Sequence, residues 1–377
     1  MTARRITQIS VAVAVAATLP ILGACSSGKN ASTKSAASGS SGVAGGDKGA
    51  KIAFLMPDEA STRYEQHDKP GFVAELKKVC PTCTPLYNNA TGDASKQQQQ
   101  FNAALTQGAK VIVLDPVDST AASSLVSAAH AKGVKVIAYD RPIPQAKPDF
   151  YVSFNNEEIG KSIAQSLVKE LKAKGVSTGG GNGILEVNGS PTDAAAGLIK
   201  KGVHEGLANS GYKTLSEYDT PEWDPSKAQS WVSGQVSRFR TKIVGIVAAN
   251  DGTGGGAIAA LKAASVNPLP PVTGNDATTA GLQLIIAGDQ YNTISKPSEI
   301  VAGAAADVAV DLLNGKTVAA VGGGSLTTVF GTKTMLFVPK VITQSNLKSD
   351  IISTKIATAS QLCTGSYKTG CTKLGIS

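Results

Sequence analysis

From Lys51 onward the chain alternates short apolar runs with longer stretches of helical period. The runs Lys51 to Met56, Lys110 to Leu114, Lys135 to Tyr139, Ile184 to Val187 and Lys242 to Ala248 are nearly continuous in apolar character. Each therefore predicts a strand buried on both faces, as in a parallel sheet. Between them the spacing predicts helices over 94–107, 120–131, 157–174 and 226–238. Regular alternation of this kind gives a doubly wound α/β fold. The body is too long for one such sheet, so two sheets with a cleft between them are expected, with Gly179 to Gly183 in the seam region.

The first fifty residues do not share this pattern. Arg4 and Arg5 precede an apolar run from Val11 to Leu22 that is too short to cross a bilayer, the signature of a signal peptide over 1–24. The run ends in Leu22-Gly23-Ala24-Cys25, which resembles a bacterial lipobox. That resemblance implies a lipid on Cys25 and an exported protein held at the outer face of the cytoplasmic membrane. Ser26 to Ala50 is almost entirely small or polar, with Val43 its only larger apolar side chain, and cannot bury enough surface to fold. Residues 25–50 are expected to form a tether spanning about 25 to 30 Å root-mean-square.

Composition narrows the function. With 42% hydrophobic and 17% charged residues the chain is globular, with room for two domains. The net charge of +8 is a modest excess whose lysines are scattered, without an arginine block interleaved with aromatics, so no nucleic acid is expected as a partner. Besides Cys25 there are Cys80, Cys83, Cys363 and Cys371, an even number that favours disulfides outside the cell. The Cys80-Pro81-Thr82-Cys83 segment has the spacing of half a zinc site or a redox motif. Thioredoxin-like chemistry wants the first cysteine to open a helix, however, and this one closes one. Two local bridges, Cys80 to Cys83 and Cys363 to Cys371, are expected, and no metal.

The candidate chemistry lies after the strands: Asp58, Asp115, Asp140-Arg141, Asn188, Asn250-Asp251, Asn275-Asp276 and Ser295-Lys296. Ligands of open α/β sheets bind at the carboxyl ends of strands. Polar residues there also cap helices, but arginine and lysine do not cap N-termini, so the collection exceeds what capping requires.

At Arg63-Tyr64, Asp140-Arg141, Gly189-Ser190-Pro191-Thr192-Asp193, Trp223, Asn250-Asp251, Gly274-Asn275-Asp276 and Lys296 the sequence resembles the xylose-binding type of sugar-binding component of bacterial ABC transporters, from about Lys51 to about Val341. The resemblance implies a type I periplasmic binding protein fold: two similar doubly wound lobes joined by three hinge strands, with lobe I over 51–155 and 297–339 and lobe II over 156–296 and 340–377. It also implies a monomer that closes on one monosaccharide and is read by a permease, or by a sensor domain, with no cofactor and no catalysis. Arg141 would supply a fork of donors, Asp140, Asp276 and Asn250 acceptors, and Trp223 and Tyr64 aromatic plates for the sugar's apolar faces. Arg63 and Lys296 would donate to further hydroxyls, Asn155 would lie at the first hinge, and Asp193 would border the second-lobe wall. Trp231, inside a helical stretch, is expected to pack. The sequence departs from the family after Asp193, where Ala194-Ala195 stand in place of two asparagines, and at Asn155, which replaces an aspartate.

A competing motif, Gly252-Thr253-Gly254-Gly255-Gly256-Ala257, fits the G-x-G-x-x-A dinucleotide fingerprint directly after a strand. An oxidoreductase or glycoside-processing enzyme of the cell envelope on the same double sheet is therefore the alternative. Against it, His67, His130 and His204 show no ligand spacing and no G-x-S-x-G occurs.

Overall fold

The computed structural model describes residues 49–376, so the leader, Cys25 and nearly all of the expected tether lie outside the described residues. The first α/β layer begins with β1 (Lys51–Met56), α1 (Lys69–Val79), β2 (Thr84–Asn89), α2 (Ala94–Thr106), β3 (Ala109–Leu114), α3 (Ala122–His130), β4 (Lys135–Tyr139) and β5 (Phe150–Phe154). The chain continues through α4 (Asn156–Ala173), β6 (Gly183–Asn188), α5 (Ala194–Leu207), β7 (Lys213–Asp219), α6 (Pro225–Phe239), β8 (Ile243–Ala248), α7 (Asp251–Ala263), α8 (Thr279–Ala287) and β9 (Thr293–Ser295). It returns with α9 (Ser298–Leu313), β10 (Ser325–Val329) and β11 (Thr332–Phe337), and ends in β12 (Lys340–Ile342), α10 (Ala359–Leu362) and α11 (Lys368–Lys373).

Two α/β lobes result. The first is a seven-stranded sheet in the order β10-β11-β5-β4-β3-β1-β2, parallel except for the β10–β11 hairpin. The second is the parallel sheet β7-β6-β8, extended by a bridge from Ile246 to Val272. Strand β1 shows why the central runs are apolar throughout. Ile52, Phe54 and Met56 belong to one core with Phe72 and Leu76 of α1 and Val301 and Ala305 of α9, while Ala53 and Leu55 belong to another with Phe101 of α2 and Leu125 of α3. Both faces are covered, so no polar alternation survives.

The chain crosses between lobes between β5 and α4, between β9 and α9, and between β11 and β12. Gly179 to Gly183, expected near a seam, instead fills the α4–β6 connection and opens β6 inside the second lobe. Helices α4 and α5 pack backbone to backbone there. A Cβ added at Gly160 would fall 1.9 Å from the Ile199 carbonyl oxygen, and one at Gly202 would fall 1.9 Å from that of Glu157. Cys80 is bonded to Cys83 where α1 ends, and Cys363 to Cys371 in the C-terminal segment that packs on α8.

Candidate functional site

Two buried arginines organise the interface between the lobes. Arg63 is 1% exposed and sits where the loop after β1 turns toward α1. Its guanidinium donates to Asp68 Oδ1 at 3.2 Å and to Ser298 Oγ at 3.0 Å, pairs with Asp140 Oδ2, and lies over the Tyr64 ring at 4.7 Å. The Tyr64 hydroxyl donates to Asp140 Oδ2 at 3.1 Å. Arg141, directly after β4, donates to Asp58 and to the Pro116 carbonyl, and its Nε lies 3.4 Å from Asp115 and 3.1 Å from Asp193 Oδ2. Asp193 is in the second lobe, so this ion pair spans the interface. Ser119 and Thr192 flank it: the Ser119 amide donates to the Thr192 carbonyl at 3.0 Å and the Ala194 amide to Ser119 Oγ at 3.1 Å.

The second lobe contributes the opposite wall. Asp193 caps α5 through Oδ1, accepting from the Ala195 amide at 2.7 Å, and takes the Trp223 indole N–H on Oδ2 at 3.1 Å. The Trp223 ring abuts Gly189, where a Cβ would fall 2.2 Å from it. Asn250 caps α7 with Oδ1, which leaves its amide nitrogen for the cavity. Asp276 pairs with Lys296 at 2.9 Å, and Lys296 Nζ stands 5.3 Å from the Phe154 ring centre. Several of these residues hold a left-handed backbone: Asp140 at φ 55°, Trp223 at 56°, Asp276 at 100°. Aspartate tolerates this conformation and tryptophan does so at a cost, a concentration of strain typical of functional sites.

The space between the lobes is lined by Arg63, Tyr64, Asp140, Asp193, Trp223, Asn250, Asp276 and Lys296, together with Ser61, Asn156, Ala195, Ile199 and Asn275. Eight of the ten expected positions thus meet at one place. Arg141 stands behind them, donating to the Tyr64 hydroxyl and ion-paired with Asp193 rather than lining the space. Asn155 lies at the first crossing between the lobes but does not line the cavity: it is exposed and its side chain caps α4 by accepting from the Glu158 amide, while the next residue, Asn156, turns inward. Sequence reasoning also missed that Asp58 and Asp115 serve Arg141. Both had been visible only as polar residues after strands.

Electrostatics fixes the charge pattern. Burial opposes ionisation of Asp140, but Arg63, Lys296 and Arg141 outweigh it and hold its pKa at about 2. Asp68, Asp115 and Asp193 go the other way, raised chiefly by burial. Behind the cavity, Asp251 is pushed up to about 7 by burial and then by Asp276. It braces the turn that carries Asp276, accepting from the Thr278 amide at 2.8 Å, Gln290 at 2.8 Å and the Thr293 hydroxyl at 2.7 Å.

The glycines of the dinucleotide-like motif have a packing role. A Cβ at Gly254 would fall 2.7 Å from the Thr273 carbonyl oxygen, and one at Gly256 would fall 2.3 Å from that of Pro225, so they let α7 approach the neighbouring backbone. Trp231 packs on Tyr218, ring centres 5.4 Å apart.

Two α/β lobes crossed three times by the chain, with a polar, aromatic-walled cavity between them, define a binding protein of the type I periplasmic class rather than an enzyme. The chain belongs to the periplasmic binding protein family, whose domain profile matches residues 52–317. It is 34% identical to the D-xylose-binding periplasmic protein of Escherichia coli over 73% of this chain and 81% of that one. It is 31% identical to a multiple sugar-binding periplasmic receptor of Rhizobium radiobacter over 72% of this chain and 80% of that one. Among solved structures it resembles a carbohydrate transporter solute-binding protein from Chloroflexus aurantiacus in complex with D-glucose, with a TM-score of 0.73, 25% identity, and coverage of 82% of this chain and 97% of that one.

Proposed function

We propose that this protein captures one monosaccharide, xylose or a related pentose or hexose, in the interlobe cavity and delivers it to the permease of a sugar ABC transporter. The observation that carries this reading is the convergence of Arg63, Tyr64, Asp140, Asp193, Trp223, Asn250, Asp276 and Lys296 on one cavity. A pyranose presents hydroxyls around its edge and C–H faces above and below. The carboxylates and Asn250 match the edge, Arg63 and Lys296 add donors, and Trp223 and Tyr64 match the faces. Arg141 acts by holding Asp193 and Tyr64 in place. The relatives named for xylose and for multiple sugars support the same substrate class. Lobe I comprises 51–155 and 297–339 and lobe II 156–296 and 340–377, and the two close on the sugar as a monomer.

Calorimetry of the purified protein with xylose, arabinose, ribose, glucose and galactose tests the proposal. At least one should bind with a stoichiometry of one and raise the melting temperature with concentration, because it binds the folded state alone. A melting temperature indifferent to all five sugars would sink it.

A further inference from the structure

Glu186 of β6 and Glu217 of the edge strand β7 are direct cross-strand partners. Like charges in that relationship repel unless a cation lies between them. Glu186 is fully buried; its Oε1 accepts from the Thr214 hydroxyl, and its Oε2 receives no hydrogen bond. That oxygen faces His204 of α5, whose Nε2 lies 3.2 Å from Glu186 Oε2 and 3.2 Å from Glu217 Oε2. All three ligand atoms fall within 4.8 Å of one another. Donors at about 2.0–2.1 Å from a tetrahedral Zn²⁺ stand about 3.3 Å apart, so the two short spacings are those of a first coordination sphere.

The neighbours permit an ion. Lys200 Nζ approaches Glu217 on its other oxygen, Oε1, at 3.4 Å, and is closer to Asp219, at 3.0 Å. His204 and Glu217 are about half exposed, which leaves the outer side open to water as a fourth ligand.

We propose that Glu186, His204 and Glu217 bind one divalent transition-metal ion, Zn²⁺ by preference, on the outer face of the second lobe, and that the ion pins α5 to the edge strand β7. One imidazole and two carboxylates suit zinc, whereas magnesium and calcium favour all-oxygen sites. None of the three residues lines the sugar cavity, so the site is independent of that assignment.

The test is calorimetry and thermal melting of EDTA-treated protein with ZnCl₂, and with MgCl₂ in parallel. One Zn²⁺ per chain should bind and raise the melting temperature, with Mg²⁺ inert. His204→Ala should weaken binding by more than the ~10–100-fold that loss of an outer-shell partner alone produces, and Glu217→Gln should do the same. His204 is half exposed, so its variant should fold even if Glu186→Gln does not. No stoichiometric Zn²⁺ binding would overturn the proposal. So would undiminished binding in His204→Ala, which would place the ion at another histidine such as His67 beside Glu299 or His130 beside Asp149.

Discussion

The Nε of Arg141 lies 3.1 Å from Oδ2 of Asp193, a buried ion pair that joins the end of β4 in one lobe to the cap of α5 in the other. The same guanidinium also serves Asp58 and Asp115. Arg141→Ala would leave these carboxylates together without a cation, so it should destabilise the fold by about 3–5 kcal/mol as well as weaken sugar binding. Asp276→Ala should instead lower sugar affinity by about 2–4 kcal/mol with the fold retained. Urea unfolding of both variants beside calorimetry separates the two effects; an Arg141→Ala protein as stable as wild type would contradict the account.

Gly189 tests the aromatic wall without touching a polar group. A methyl there falls 2.2 Å from the Trp223 ring, which must move. Gly189→Ala should reduce sugar affinity by about 1–3 kcal/mol, the range of overpacking effects. Calorimetry against the best ligand measures it, and an unchanged affinity would remove Trp223 from the site.

Ala195 lines the cavity where the family resemblance implies an asparagine. A methyl cannot pair with a hydroxyl, so discrimination among sugars should be relaxed, with glucose competing against xylose. Ala195→Asn should sharpen the preference by about 0.5–1.5 kcal/mol, one hydrogen bond's net worth. Competition calorimetry reads the change. Wild-type binding confined to xylose would refute the relaxation.

Asp251 predicts a dependence on pH. Its folded-state pKa of about 7 lies above the unfolded carboxylate value of about 3.9. The folded form therefore binds the proton more tightly, and the contribution is fully present below about pH 4 and lost as pH rises through about 7, up to about 4 kcal/mol. Urea unfolding at a series of pH values across that window should show wild type losing stability relative to Asp251→Asn. Parallel curves would contradict it. Asp140, held at about 2, contributes in the opposite sense, its stabilisation being lost only as pH falls toward 2.

Cys25 is proposed as the lipid anchor. A Cys25→Ser precursor should lose lipid labelling and leave the membrane fraction, and equal membrane retention would sink the idea.

Strands β1, β3, β4, β6 and β8 were legible because burial on both faces leaves an unbroken apolar run, whereas β5 and β11, also interior, were not read from the sequence. Edge strands were not: β2 reads Thr-Pro-Leu-Tyr-Asn-Asn and β7 carries Glu217 and Asp219, polar residues that a half-covered position allows. Arg141 and Lys296 stood out because arginine and lysine after a buried strand have no capping role, whereas Arg63, Tyr64, Asp193 and Trp223 rested on the family resemblance. That Asn156 rather than Asn155 faces the cavity was not legible, because a helix cap and a cavity-facing side chain look alike in sequence; only the turn into α4 decides which asparagine points inward. The grouping of Glu186, His204 and Glu217 had no linear signal, since its members come from two strands and a helix.

The glycine contacts between α4 and α5 bear on how the molecule moves. Helix α4 starts at the crossing out of the first lobe, and α5 starts at Asp193. With Gly160 and Gly202 seated against backbone, no compressible side chain lies between the two helices at those points. If the lobes close as proposed, a rotation at the Asn155–Asn156 junction would pass through these contacts toward the Asp193 carboxylate. The tilt of α4 would thereby report whether Arg141 and Asp193 have met.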